Sequence, residues 1–445
     1  MSYTDPGFWL LLAATLGVFA AAPVGWRPAA LLASSLIFYG APDWHRLIWL
    51  GAVAALGLAG CEGGRRVAQA TAMILVGALV LVKFGDAAGL GLPPAPPGYS
   101  FYSFTMVAHL VDRARGQAPD TRGIPFLLHV AWFPKLLAGP IERSKAFVPQ
   151  LGTLAIRPGP AALGFTLILS GLLKKLVIAD NLAPVVDAAY AIPAYAAPLD
   201  LIMASYFFAF QIYCDFSGYT DLALGLSALV GLQLSRNFDR PYLSPSVTAF
   251  WSDRWHITLG RWFRDYVYIP LGGSRHGSVR RTLNLMTVFA LSGLWHAGLG
   301  YGVGWGFLVW GLLNGAFVAA ENLLPAGRPG MLRPLSILLT FHLVLVTWVF
   351  FRAATVSDAL LILRRVAAGL ADLPAVLPAY PFSTAQMMGA ALIALLVAGE
   401  LACRDWPARI VALPQPLRWA AWYAAMAVLL LLGRWQGAGF IYAQF

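Results

Sequence analysis

The chain has 445 residues, of which 59% are hydrophobic and only 11% are charged, and its mean hydropathy is +0.69. This leaves too little polar surface to cover a soluble globule of that size, so the composition excludes an ordinary soluble enzyme and predicts an integral membrane protein. The formal net charge of +11 would suggest nucleic-acid binding in a soluble protein. In a membrane protein that charge is expected from Lys and Arg kept in short loops, and we expect membrane lipid, with no nucleic acid, as a partner.

Apolar segments long enough, at about 20 residues each, to cross a hydrocarbon core recur along the whole chain. We therefore predict an all-α, polytopic membrane protein: one domain over 1–445, with about 10–13 transmembrane or re-entrant helices and interfacial amphipathic helices. No soluble domain is expected before or after it. Within this domain we distinguish N-terminal spans (1–92), middle spans (93–235), a motif-bearing region (236–320) and C-terminal spans (321–445).

The N-terminal part predicts four spans, at 7–23, 26–41, 45–60 and 66–84. The first apolar run has no basic segment before it and is followed by another apolar run, so it is a span and not a cleaved signal peptide. Arg65 and Arg66 predict a cytoplasmic turn between the third and fourth spans.

The middle part begins with a proline-rich loop at 93–97, because proline removes a backbone donor and restricts the residue before it. The aromatic segment 99–111 is too short to cross upright, so it predicts a re-entrant or tilted helix whose backbone is covered by protein. Further spans are predicted at 123–139, 160–179, 198–217, 219–234, 282–296, 300–320, 333–351, 386–402 and 417–433. Lys174 and Lys175, at the end of one span, are expected to reach toward an interface.

The segment 236–281 is the most basic part of the sequence, with eight basic and three acidic residues and a net formal charge of +5. At helical spacing, 250–269 has an aromatic face and an opposite polar one, typical of a helix lying in the membrane interface. The aromatic face contains Trp251, Trp255, Leu259, Trp262 and Tyr266, and the polar face Arg254, Thr258, Arg261 and Asp265.

His256 stands at the edge of that aromatic face. An interfacial anchor alone is one interpretation of the helix. The other is that His256 points into the protein body while the arginines face anionic headgroups or a phosphorylated cofactor.

His296 lies in a run, 282–320, that contains no Asp, Glu, Lys or Arg. An ionisable group in such an apolar stretch is expensive to bury and is a candidate functional residue. Gly298, Gly300, Gly302, Gly304 and Gly306 follow it and favour an opening where a ligand or another backbone approaches closely. A buried imidazole is suited to accept a proton there, although a hydrogen bond to a helix carbonyl explains it equally well on spacing alone.

Other catalytic chemistries have no sequence signature in this chain. Cys61, Cys214 and Cys403 are far apart and predict neither a redox pair nor a zinc site, and no HExxH motif is present, so we expect no metal. A phosphate loop and a serine nucleophile elbow are also missing from the sequence. No internal repeat is evident, which argues against an inverted-repeat transporter.

Several long motifs together resemble the membrane-bound O-acyltransferase family, and in particular its alginate O-acetyltransferase branch. The motifs are QIYCDFSGY (211–219), FWSDRWHITL (250–259), WFRDYVYIPLGG (262–273), LWH (294–296), LAGPI (137–141), GLLKKLVIADN (171–181) and FIYAQF (440–445). Two positions depart from the pattern: Ala297 stands where relatives usually have glycine, and Asn314 where many have histidine. The second departure suggests that Asn314 is not a proton carrier.

The resemblance implies transfer of an acetyl group from cytoplasmic acetyl-CoA to a hydroxyl. It matches His256 and His296 to the two motif histidines of the family, the second being its membrane-buried catalytic histidine. We expect His296 to be the general base and His256 to orient the thioester or donate to the oxyanion. Arg254, Arg261 or Arg264 would steer the anionic cofactor.

The resemblance further implies a bacterial inner-membrane protein that acts on an exported, alginate-like polysaccharide. A separate periplasmic acetyltransferase and polysaccharide export machinery are the expected partners. Two alternatives stay open: transfer of another acyl group, such as D-alanyl, to a cell-envelope polymer, and a proton-coupled transporter in which the two histidines form a relay.

Overall fold

Backbone groups away from water must bond within the chain, which favours helices. The computed structural model describes residues 3–297, 304–323, 332–435, 437 and 440–441, and within these ranges it is helical without a β-strand. The predicted all-α, polytopic fold class is confirmed.

The N-terminal part forms four helices at the four predicted spans. They are α1 (Pro6–Ala21), α2 (Arg27–Gly40), α3 (His45–Glu62) and α4 (Gly64–Phe84), with a short 3₁₀ turn at Val24–Trp26.

The middle part contains seven helices in the described chain. They are α5 (Tyr99–Ala114), α6 (Gly123–Ala131), α7 (Phe133–Leu136), α8 (Ser144–Phe147), α9 (Pro158–Leu172), α10 (Asp180–Ala191) and α11 (Pro198–Leu229). A π-helical segment, Leu173–Ala179, joins α9 to α10, and a 3₁₀ helix, Val148–Thr153, follows α8.

The remaining described helices carry the motif region and the C-terminal spans. They are α12 (Val247–Asp253), α13 (Ile257–Phe263), α14 (Gly277–His296), α15 (Trp305–Glu321), α16 (Arg333–Arg352), α17 (Val356–Val376), α18 (Thr384–Ala402), α19 (Trp406–Ala412) and α20 (Gln415–Leu432). A π-helical segment, Arg264–Tyr268, follows α13, and 3₁₀ helices lie at Pro241–Leu243 and Leu377–Ala379.

Five helical stretches of the described residues are long and apolar enough, by length and composition, to cross a membrane. They are Gly64–Phe84, Pro158–Ala191, Pro198–Leu229, Arg333–Arg352 and Thr384–Ala402, with shorter apolar helices at Pro6–Ala21 and Trp305–Glu321. The apolar window of α11 is 83% buried and that of α18 only 11%. Helix α11 is therefore the centre of the bundle and α18 part of its periphery.

The predicted and the observed elements differ in four main respects. The spans at 198–217 and 219–234 are one helix, α11, because Gly218 packs against a neighbouring helix and does not end its own. The span at 123–139 is instead α6 and α7, separated at Trp132 because Pro134 has no N–H to continue the helix. Helix α17 is not predicted at all, since its four charged side chains interrupt the apolar run.

The fourth difference concerns the amphipathic segment 250–269, which is not one interfacial helix. It is divided among α12, α13 and the following π-helical turn, and the break falls at His256, whose φ is +44°. The side chains of Trp255 and Trp262 are 1% and 5% exposed, so these indoles belong to the core and not to the headgroup region. Thr258, expected on the polar face, is also buried.

Helix α5 is confirmed as a helix covered by protein, since nearly all its residues from Tyr99 to Leu110 are buried. The expectation for the two lysines is wrong. Lys175 is buried and pairs with Asp215 at 2.8 Å and Asp180 at 2.9 Å, while Lys174 pairs with Asp221 at 2.8 Å. Asp215 and Asp221, on α11, are distant from the lysines in sequence, and Asp180 is the first residue of α10, just beyond the span. The apolar pattern of the span therefore does not predict these ion pairs.

Helices α9 and α11 cross at two pairs of glycines. A Cβ on Gly171 would lie 2.6 Å from the carbonyl oxygen of Gly218, and a Cβ on Gly225 would lie 2.6 Å from that of Gly164. Small residues at such a crossing let two backbones approach closely in an apolar medium. The central helix is therefore held against α9 by backbone contact.

Replacing Gly171 by Val is expected to destabilise the protein by about 2 kcal/mol or more, because the added side chain forces α9 away from α11. The same substitution at Gly77, whose Cβ position is open, is the matched control. Melting temperatures in detergent measure both, and equal melting of the two variants would contradict this account of the crossing.

Candidate active site

His296 is the last residue of α14, and its side chain is 2% exposed. Its Nδ1 lies 2.7 Å from the carbonyl oxygen of Ser292, one turn earlier. Aromatic rings of Trp295, Trp310 and Phe351 surround it, with centroids 4.5, 5.1 and 5.4 Å from that of the imidazole. The imidazole is thus fixed at one nitrogen and enclosed by apolar rings.

The structure describes only part of the glycine-rich segment after His296. Gly298, Gly300 and Gly302 lie outside the described residues. Gly304 has a φ of +62° and starts α15, and a Cβ there would lie 2.9 Å from the Cβ of Ala297. Close approach after the histidine, expected from the glycines, is therefore present at Gly304.

His256 lies between α12 and α13 in the left-handed region, with φ +44° and ψ +52°. A residue with a Cβ rarely adopts this conformation, and such strain is typical of functional positions. The side chain is 3% exposed, so it points into the protein body, as one of the two interpretations of the sequence proposed.

Asn237 holds His256 and the start of α13 together. Its Oδ1 lies 3.2 Å from Nδ1 of His256 and accepts hydrogen bonds from the N–H of Thr258 at 3.1 Å and from its Oγ1 at 2.7 Å. The Oγ1 of Thr258 in turn accepts the N–H of Ile141 at 3.1 Å. The motif LAGPI is thereby connected to the motif that contains His256.

These bonds define which nitrogen of each ring carries the proton. The carbonyl oxygen of Ser292 only accepts, so Nδ1 of His296 is the donor. Asn237 presents its oxygen, since the same atom receives a backbone N–H, so Nδ1 of His256 is also the donor. In the neutral ring of each histidine, Nε2 is then the basic nitrogen.

One cavity of about 350 Å³ brings the two histidines together. The ring of Trp295 is near both, with its centroid 6.3 Å from that of His256 and 4.5 Å from that of His296. Polar and aromatic residues that also line this cavity include Trp251, Asp253, Arg261, Arg264, Arg281, Ser292 and Trp310.

Of the three arginines predicted from the sequence, Arg261 and Arg264 line the cavity, whereas Arg254 is not among its lining residues. The guanidinium of Arg254 donates to the carbonyl oxygen of Arg240 at 3.2 Å. Arg254 also lies near Asp239. Partial burial raises the pKa of the Asp239 carboxyl, but the hydrogen bond from Arg404 and the charges of the neighbouring arginines lower it more. The net result is a pKa below the ordinary value.

Sequence reasoning missed three residues of this site. Asn237 gave no signal, because it lies in an irregular loop and acts through its contact with His256. Arg281 lines the cavity and donates to Oδ1 of Asn322 at 2.5 Å, and its signal was the basic stretch that ends with it. The indole Nε1 of Trp310 is buried with no acceptor in the described part of the chain, so it is an available donor in the cavity wall.

Asn314 is not among the residues that line the cavity, but it hydrogen-bonds to two that are, Trp251 and Trp310. It accepts from Nε1 of Trp251 at 3.0 Å and donates to the carbonyl oxygen of Trp310 at 2.8 Å. Both bonds suit an amide, which does not carry protons at neutral pH. Within the described ranges, no three His, Cys, Asp or Glu side chains form an arrangement that could hold a metal ion.

Comparison with known proteins identifies relatives over most of the chain. The sequence model of MBOAT, the membrane-bound O-acyltransferase family, matches residues 44–330. The chain is 35% identical over 382 residues to a protein of Azotobacter vinelandii named probable alginate O-acetylase AlgI, covering 79% of this chain and 74% of that protein.

More distant similarity extends to two other kinds of transferase. The peptidoglycan O-acetyltransferase of Helicobacter pylori is 33% identical over 301 residues, which cover 60% of this chain and 56% of the relative. The teichoic acid D-alanyltransferase of Bacillus subtilis is 25% identical over 268 residues, covering 56% of this chain and 66% of the relative.

The backbone at His256 predicts an unusual order of stability. His256→Gly and His256→Ala both remove the imidazole and its bond to Asn237, but only glycine adopts φ +44° without strain. We expect the glycine variant to be more stable by about 1 kcal/mol. Chemical denaturation or melting in detergent measures the difference, and an alanine variant at least as stable as the glycine variant would show that this conformation carries no strain.

Proposed function

The chain belongs to the membrane-bound O-acyltransferase family and is an O-acyltransferase, and from this premise we propose that it takes acetyl from cytoplasmic acetyl-CoA for O-acetylation of an exported, alginate-like polysaccharide. The observation that carries the proposal is the cavity of about 350 Å³ lined by His256 and His296. Within the described part of the chain, its charged lining residues are three arginines and one aspartate, Asp253, and this excess of positive charge complements an anionic acyl donor.

His296 is the proposed general base. In the neutral ring Nε2 takes the proton of the acceptor hydroxyl as the hydroxyl oxygen attacks the thioester carbonyl carbon. Collapse of the tetrahedral intermediate breaks the carbon–sulfur bond, and the imidazolium returns the proton to the departing CoA sulfur. The products are the acetyl ester and free CoA, so atoms and protons balance.

The developing oxyanion needs a donor near that carbonyl. His256 in its neutral form directs its Nδ1–H to Asn237, so its Nε2 accepts a hydrogen bond and cannot donate one to the oxyanion. In this form it can orient a donor group of the substrate. The indole N–H of Trp310 is an available donor in the same wall, in a ring 5.1 Å by centroid from that of His296. We assign oxyanion stabilisation to Trp310 and orientation of the substrates to His256.

The arginines support entry of the donor from the cytoplasm. Arg65, in the predicted cytoplasmic turn, and Arg115 line the same groove beside α4. Arg115 donates to the carbonyl oxygen of Asp265 at 3.3 Å, next to Arg264. These contacts support an orientation in which the arginine side of the cavity lies on the same side of the protein as Arg65, the side that the positive-inside rule assigns to the cytoplasm.

The relatives support acetyl over other acyl groups and a polysaccharide over other acceptors. Identity is higher to the proteins named for alginate than to those named for teichoic acid D-alanylation, which is the alternative acyl transfer. Membership in an acyltransferase family argues against the proton-coupled transporter. We propose that the protein is in a bacterial inner membrane and passes the acetyl group to a periplasmic acetyltransferase of a polysaccharide export system.

Replacing His296 by Ala is expected to lower acetyl transfer by at least about 100-fold, because the proton of the attacking hydroxyl loses its acceptor. Purified protein in nanodiscs, given labelled acetyl-CoA with and without a polysaccharide acceptor, measures free CoA and labelled ester. Wild-type protein should release CoA in the presence of acceptor. Undiminished transfer by the variant would remove His296 from the mechanism, and CoA release independent of any acceptor would count against the transferase reaction proposed here.

Removing the cavity arginines should weaken donor binding. The double variant Arg261→Gln with Arg264→Gln is expected to raise KM for acetyl-CoA about tenfold or more at low salt, with a smaller difference at high salt, because screening already weakens the attraction. Arg254→Gln is the matched control, since Arg254 does not line the cavity. Equal KM values in the double variant and the control would assign donor binding elsewhere.

A further inference from the structure

Lys83 is a buried cation that the mechanism above does not use. It lies in the last turn of α4, and its side chain is 5% exposed. Its Nζ donates hydrogen bonds to the carbonyl oxygens of Trp295 and Ala297, the second at 3.3 Å. These two residues flank His296 in the chain.

The carbonyl of Trp295 belongs to the last turn of α14, and Ala297 is the residue that directly follows this helix. The last four carbonyls of a helix have no partner inside the helix, and a cation at that end is favoured by the helix dipole. The next helix, α15, begins only at Trp305, and Ala297 leaves α14 in an extended conformation with ψ 168°. Lys83 therefore caps α14 from a neighbouring helix.

The surroundings of Lys83 make this burial costly. No Asp or Glu of the described ranges forms an ion pair with it, and its neighbours of opposite polarity are the two carbonyls and the ring of Trp295, 5.6 Å from Nζ. The groove of about 830 Å³ beside it is mainly apolar, with Leu79, Leu291 and Leu294 in its walls. A buried cation is tolerated in such a place only where hydrogen bonds compensate it.

We propose that Lys83 is a positioning residue for acyl transfer, which fixes the backbone on both sides of His296 and so aims its imidazole into the cavity. This inference rests on the proposed function of His296. The ring is held at Nδ1 by Ser292, and the backbone that carries it is held by Lys83. Because both the ring and its backbone are held, Nε2 of His296 is kept in a single orientation.

The consequence for rate is large because catalysis is sensitive to small displacements. A misplacement of about 1 Å can cost up to about 100-fold in rate. Lys83→Met removes both hydrogen bonds while keeping a side chain of similar length. We expect it to lower kcat by about 10- to 100-fold with KM for acetyl-CoA unchanged, since the donor-binding arginines are untouched.

Lys83→Arg is the rescuing variant. It keeps a cation with several N–H donors, and the adjacent groove has room for its greater length. We expect it to recover most of kcat. Lys174→Met is the matched control: Lys174 is also buried but pairs with Asp221 at 2.8 Å and lines a different cavity, so its loss should lower the melting temperature without changing kcat of the folded protein.

The experiment measures kcat, KM and melting temperature of the four proteins, wild type included, in nanodiscs with labelled acetyl-CoA and acceptor. Loss of kcat in Lys83→Met with recovery in Lys83→Arg and none lost in Lys174→Met supports positioning. Wild-type kcat in Lys83→Met, or losses in the Lys83 and Lys174 variants that follow melting temperature alone, would overturn it. If His296→Ala were fully active, the proposed function itself would fail, so the two failures are distinguishable.

Discussion

The cost of burying polar groups away from water governs the arrangement of this protein. Each ring nitrogen Nδ1 of the two cavity histidines is bonded to an oxygen of the chain, Ser292 O for His296 and Asn237 Oδ1 for His256. The same requirement explains the pairing of Lys175 with Asp180 and Asp215. These bonds place the proton of each neutral ring on Nδ1. The need to satisfy buried polar groups therefore also leaves Nε2 as the nitrogen that can accept a proton.

The site is assembled from segments that are far apart in sequence, and they pack beside α11, which is itself held against α9 by the glycine crossing. Helix α11 forms the centre, and its Phe216 ring stacks edge-on against His256 with centroids 4.7 Å apart. His296 approaches from the end of α14, and Trp295 is near both rings. The two histidines therefore come together only through packing between helices.

The arginines and the aromatic wall divide the work of the proposed reaction between two ends of one cavity. In the proposed reaction Arg261 and Arg264 would bind the phosphates of the donor, and the rings around His296 would exclude water from the thioester carbon. Such a division suits an enzyme that collects an activated acyl group on one side of a membrane and delivers it toward the other. The similarity to alginate O-acetylases over most of the chain is consistent with this use.

Apolar runs and long motifs are local signals, and from them the sequence alone predicts the membrane class, the all-α fold and most helices. The same signals single out His256 and His296, which the structure places in the wall of one cavity. The remaining features depend on contacts between segments that are distant in the chain. The continuity of α11 through Gly218 depends on contact with α9, and the break at His256 depends on Asn237. Its position at the end of an apolar span predicts an interfacial Lys175, but folding places Asp180 of α10 and Asp215 of α11 beside it, and these carboxylates compensate its burial. Contacts between distant segments produce no periodic pattern and no bias in local composition, so no local feature of the sequence predicts them.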